Sequence, residues 1–188
     1  TGDINDSQVI QDGMENRNVT RINGDDNTTL NDQLGNGNNN VTEVFGDMND
    51  VLVDQDGYDN SALVDVTGDD NDVTWSQDGD RNNAGDDFLP GEGVNIIGDG
   101  NTYDYSQVGD DNMMAGRTTG DGNTANGQQV GVDNILTQDQ TGDGNLADSQ
   151  QGDFFTSRGG NVDQDQMGDD NEAFANQEED NNTSIQYQ

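Results

Sequence analysis

Across 188 residues the chain carries 40 acidic side chains against 5 basic ones, a formal net charge of −35, with no His and no Cys. That charge makes nucleic acid and anionic membrane surfaces poor partners, and the missing residue types exclude disulfides, thiolate metal centres and the commonest catalytic base. Leu, Ile, Val and Phe total only 33 residues, a composition that taken alone describes a disordered acidic polymer.

An internal repeat overrides that first impression. Gly-x-x-Asn opens at Gly2 and recurs with glycines at 13, 24, 35, 46, 57, 68 and 79, closed by Asn5, Asn16, Asn27, Asn38, Asn49, Asn60, Asn71 and Asn82. Two residues before alternate glycines stand Gln11, Gln33, Gln55 and Gln77, and before the others Ile22, Val44 and Val66, so the unit is 22 residues in two unlike halves. After each Asn, alternate residues form one set, as in Asn49, Val51, Val53, Gln55 and Asn71, Val73, Trp75, Gln77, with mostly polar partners between them. This period of two predicts a strand after every turn. An interruption from Asp86 to Gly93, containing the only proline, Pro90, precedes Ile96 and Gly98. The register resumes at Gly98, Gly109, Gly120, Gly131 and Gly142, closed by Asn101, Asn112, Asn123, Asn134 and Asn145, with Gln107 and Gln129 in the Gln phase. A second interruption lies near Asp153 to Arg158, where Gly152 comes one residue early and Gly168 follows after 16. Gln177 then places Glu179 where glycine should stand, with Asn182 in register, and the count is sixteen half-units, or eight units. Both interruptions fall in the half-unit from a Gln-type to an apolar-type glycine and are expected to protrude on the same side.

In each turn Gly supplies positive φ at no steric cost, and Asn tolerates the left-handed region and bonds nearby backbone. Two strands and two turns of constant length return the chain to its start. The predicted fold is all-β: one two-sheet β-solenoid over residues 1–188 with eight coils, spanning about 40 Å at the ordinary strand spacing. Its thin interior lets Asn and Gln amides stack from coil to coil. The ladder residues are Gln11, Gln33, Gln55, Gln77, Gln107 and Gln129, with Asn16, Asn38, Asn60, Asn82, Asn112 and Asn134. Trp75, Tyr103 and Tyr105 fall inward in neighbouring coils, beside Gly116, Ala125 and Gly127, which give up volume.

The string Gln55-Asp56-Gly57-Tyr58-Asp59-Asn60-Ser61-Ala62 resembles the curlin repeat of bacterial curli subunits, and the likeness runs along nearly the whole chain. The resemblance implies a secreted subunit of an extracellular functional amyloid that scaffolds biofilm and polymerises with itself. It also implies a nucleating subunit and an outer-membrane secretion channel as partners, and no enzymatic activity. The chain opens without a basic-then-apolar leader, which reads as a cytosolic or already processed protein, and no apolar run is long enough for membrane insertion.

Asp follows the apolar-type glycine in every coil, at Asp3, Asp25, Asp47, Asp69, Asp99, Asp121, Asp143 and Asp169. Carboxylates about 4.8 Å apart repel by roughly 1 kcal/mol per pair at the dielectric of water, so something must offset the column. Either each Asp caps its own turn, or the column binds cations, Ca²⁺ by the hardness of its oxygen donors. The 11-residue spacing excludes nine-residue calcium β-rolls. The rival readings are a non-polymerising extracellular adhesin and a cation- or ice-binding solenoid, although Thr28, Thr74 and Thr102 form no continuous column.

Overall fold

The computed structural model describes residues 1–83, 93–152, 158–178 and 181–188. In chain order the described strands are β1 (Asp6–Met14), β2 (Arg17–Asn23), β3 (Thr28–Asn36), β4 (Asn39–Phe45), β5 (Asp50–Tyr58), β6 (Ser61–Thr67), β7 (Asp72–Asp78) and β8 (Val94–Ile97), followed by β9 (Thr102–Asp110), β10 (Met113–Thr119), β11 (Thr124–Val132), β12 (Ile135–Thr141), β13 (Leu146–Gln151), β14 (Asn161–Met167), β15 (Glu172–Gln177) and β16 (Thr183–Tyr187). Odd-numbered strands make one eight-stranded sheet and even-numbered strands the other, each in simple coil order. Every pairing is parallel, with partners 22 residues apart in the regular coils, as Gln11↔Gln33 and Val44↔Val66. The chain is therefore an all-β solenoid of eight coils, as its period requires.

The two interruptions are absorbed without loss of register. Across the first, Asp72 pairs with Thr102, and across the second, Ile135 pairs with Asn161. Most of the two protrusions expected at 86–93 and 153–158 lies outside the described residues. Their flanks are described: Asn83 bridges Ser61 and Met113, while Val94 pairs with Val64, so the first interrupts a strand of the even sheet. Arg158 bridges Val132, which puts the second at a Gln-type turn.

The turn differs from expectation in one respect. The left-handed residue is the one before Asn, with φ of 57° at Asp26, 59° at Met48 and 56° at Asp59. Asn itself is left to carry the ladder. The glycine that opens each turn sits at φ of +125° at Gly57, and its missing Cβ would lie 2.0 Å from the carbonyl oxygen of Gly79 in the next coil. Glycine is thus required twice, by conformation and by the close stacking of turns.

Interior chemistry changes along the axis. In the first coils it is polar: Asn40 donates to Asn31 at 2.7 Å, and Asn31 to the Thr20 hydroxyl at 2.9 Å. The middle coils bury Val51, Val53, Val64, Val73, Ile96 and Met114 around Trp75, Tyr103 and Tyr105. The Tyr105 ring packs edge-on against Trp75 at 5.6 Å and Tyr103 at 5.2 Å between centroids. Gly116 and Gly127 make room, because a Cβ on Gly116 would lie 2.3 Å from the Tyr105 hydroxyl. The last coils return to amides, and Tyr105 marks the change by donating to Gln138 Oε1 at 2.7 Å.

Candidate functional site

The features with chemistry beyond packing are the amide ladders, the Asp column and the two edge coils. Each ladder Gln between the edge coils points inward, and its Nε2 meets both a backbone carbonyl across the seam and the Gln of the next coil. Gln55 shows the pattern, donating to Asn39 O at 3.1 Å and to Gln77 Oε1 at 2.8 Å. The column runs from Gln11 through Gln33, Gln55, Gln77, Gln107 and Gln129 to Gln151 and Gln177, all bonds pointing the same way along the axis. From Gln33 onward these amides are buried yet satisfied, which keeps a polar interior from destabilising the fold.

The Asn residues do the same work at the turns. Asn38 Oδ1 accepts the Asn60 backbone N–H at 3.0 Å, and the series continues through Asn82, Asn112 and Asn134, with Asn16 accepting from Asn38. From Asn16 to Asn112 each side-chain amide reaches a glycine carbonyl of the following coil, as Asn60 Nδ2 does to Gly79 O at 2.7 Å. Gly160 takes the next place and gives its own N–H to Asn134 at 3.0 Å.

Sequence reasoning missed two further Gln rows. Gln140 donates to Gln166 at 3.0 Å, and Gln138 to Gln164 at 2.9 Å, within the even sheet. The signal was present: Gln140 and Gln166 stand two residues before Gly142 and Gly168, the same string one half-unit out of phase.

In the Asp column, the carboxylate does not cap its own turn. The backbone N–H of Asp25 donates to Asp47 at 2.7 Å, that of Asp47 to Asp69 at 2.8 Å and that of Asp99 to Asp121 at 2.9 Å, and Asp3, Asp69, Asp121 and Asp143 follow suit, ending on Asp169. From Asp25 to Asp169 each carboxylate caps the turn of the preceding coil, so the column binds coils together while offsetting its own repulsion. Among the described residues, no three carboxylates converge into a metal-binding group.

The surface charge is uneven. Odd-numbered strands carry no Arg or Lys, whereas Arg17, Arg21 and Arg117 lie on even-numbered ones. On the odd sheet, partial burial raises the pKa of Asp54, reinforced by Asp32, Asp56 and Asp78. Burial also raises Asp65, and raises Asp139 against the opposing pull of Arg117, with Asp165 and Asp163 adding to it. Asp111 is held low by its hydrogen bond to Arg81 at 2.7 Å. The folded state thus binds protons more tightly than the unfolded chain at Asp54, Asp65 and Asp139, so stability rises as pH falls through their raised values. Asp111 acts in the opposite sense, losing its contribution as pH falls through its lowered value. We expect thermal stability to increase from neutral pH toward the ordinary carboxylate range, then decline. The triple variant Asp54→Asn, Asp65→Asn, Asp139→Asn should be more stable at neutral pH with a flatter profile, and an unchanged profile would refute this assignment.

Residues 46–78, which span β5 to β7, match the family model of the curlin associated repeat. The match makes that stretch a curlin-like repeat within a longer solenoid. That segment holds the Gln55 and Gln77 ladder bonds, the Gly57 turn and the Asp47 to Asp69 cap, and neighbouring coils of the solenoid repeat the same kinds of contact. No curated protein and no solved structure matches the chain.

Proposed function

We propose that this chain is the structural subunit of an extracellular, curli-like functional amyloid fibre that scaffolds a biofilm matrix, growing by end-to-end stacking and catalysing nothing. One observation carries this reading: β1 and β15 end one sheet, β2 and β16 end the other, and each presents a strand edge without a partner among the described residues. Such edges template further strands. The curlin repeat supports secretion to the cell surface, with a nucleating subunit and an outer-membrane channel as partners.

Purified protein should form thin fibres that bind amyloid dyes, followed by electron microscopy and dye kinetics. Monomers that persist at high concentration and moderate salt would overturn the proposal. Because each fibre segment carries −35 charges, assembly should depend on ionic conditions. The Asp column is proposed to take Ca²⁺, which should then accelerate assembly beyond Na⁺ at equal ionic strength. Replacing Asp25, Asp47, Asp69, Asp99 and Asp121 by Asn should abolish that excess, since Asn Oδ1 keeps the cap but not the charge. Equal responses to the two ions in the parent protein would reject the cation site and leave the fibre untouched.

A further inference from the structure

The two edge coils carry unlike groups in matching rows. One outward row of the even sheet begins Arg21, Glu43, Asp65 and ends Asp139, Asp165, Tyr187. Arg21 pairs with Glu43 on its inner side. At the opposite end, the Tyr187 ring is 70% exposed, with Asp165 the next residue inward in its row. An inward row three residues away along the strands begins with Asn18 and ends with Ser184. The Asn18 amide nitrogen is buried and has no hydrogen-bond partner, which is unusual for such a group. The Gln column is directional too: it begins at Gln11, whose amide donates inward, and ends at Gln177, which accepts from Gln151 and donates across the seam to Asn161 O at 3.1 Å.

Resting on the fibre reading, we propose a residue-specific lock between copies: the last coil of one chain meets the first coil of the next, head to tail, in the same parallel register. Arg21 of the second copy then sits between the Tyr187 ring of the first and its own Glu43, a cation–π contact backed by an ion pair. Asn18, whose amide nitrogen is closed off inside its own chain, takes no part, and Gln177 extends its column to Gln11. Head-to-head or tail-to-tail contact would bring like ends together and reverse the ladder. The lock therefore selects a second copy of this chain in one orientation.

Two experiments on the full chain test it. The absence of native Cys allows single-site cross-linking with Val19→Cys and Ile185→Cys, which lie in one outward row at opposite ends. Stacked strands lie about 4.8 Å apart, within disulfide reach. Oxidised fibres that mix the two variants should yield disulfide-linked dimers containing one chain of each, and fibres of either variant alone should yield none. Tyr187 substitutions give the second reading. Net charge alone predicts that Tyr187→Arg speeds assembly and Tyr187→Glu slows it. The lock predicts the reverse, about threefold slower for Arg, which faces Arg21, and as fast as the parent or faster for Glu, by the strength of exposed charge contacts. Cross-links within single-variant fibres, or the net-charge order of rates, would overturn the lock while leaving polymerisation standing. Failure of the parent chain to form fibres would instead remove the reading beneath it.

Discussion

Gly57→Ala should abolish fibre formation and cost about 4 kcal/mol or more in the isolated solenoid, the upper range for a single substitution. The added Cβ would lie 2.0 Å from Gly79 O and 2.8 Å from its carbonyl carbon, both backbone atoms that no side-chain rotation can move. Relief requires separating two turns, which breaks the Asn60 bond to Gly79 O as well. Alanine is also strained at φ of +125°, outside the left-handed well that Asp and Asn tolerate. Gly122→Asp is the control. That residue has φ of +64° with nothing within 4 Å of its missing Cβ, and Asp26 and Asp70 hold the equivalent place in other coils. It should lose only about 1 kcal/mol. Urea denaturation followed by circular dichroism separates the two outcomes, and parental stability for Gly57→Ala would refute the stacked-turn account.

Gln77→Leu is expected to be nearly as damaging although the volume barely changes. Gln77 accepts from Gln55 at 2.8 Å and donates to Gln107 Oε1 at 2.9 Å and Ser61 O at 3.0 Å, all within the seam. Leucine would strand these partners away from water at about 1 to 3 kcal/mol each, partly relieved by adjustment, for a total of about 3 to 5 kcal/mol. Gln11→Leu should behave differently, because Gln11 is exposed and meets only Gln33 in its column. Its effect on the isolated chain should be about 1 kcal/mol, with a larger effect on fibre growth, where Gln11 becomes interior. Equal losses of stability at both positions would argue against a continuous ladder.

Much of this architecture was legible in the sequence. Gly-x-x-Asn at spacing 11 and the alternating Gln55 and Val66 phases led directly to coil number, strand direction and the inward set, because a constant coil length forces equivalent residues into one row. The interruptions were legible for the same reason: their residues add to the count without disturbing the phase on either side. The phase rule also hid something. Treating Gln-ended and apolar-ended halves as distinct classes concealed Gln140 and Gln166, where the apolar row of Val44, Val66 and Ile96 turns polar.

Sequence by itself determined the solenoid, its acidic surface and the residues of each column, since these follow from period and composition. Only the tertiary structure decided which way each group points. The Asp carboxylates cap the preceding coil and not their own turn, since stacked turns bring the neighbour's N–H to each carboxylate. The left-handed residue precedes Asn because Asn must keep its amide aimed along the axis. Likewise, the raised pKa of Asp54 comes first from its partial burial and then from Asp32 beside it, and the unpaired Asn18 belongs to an edge coil. Such properties arise between residues 22 positions apart, through distances and directions set by parallel pairing that a linear spacing does not contain.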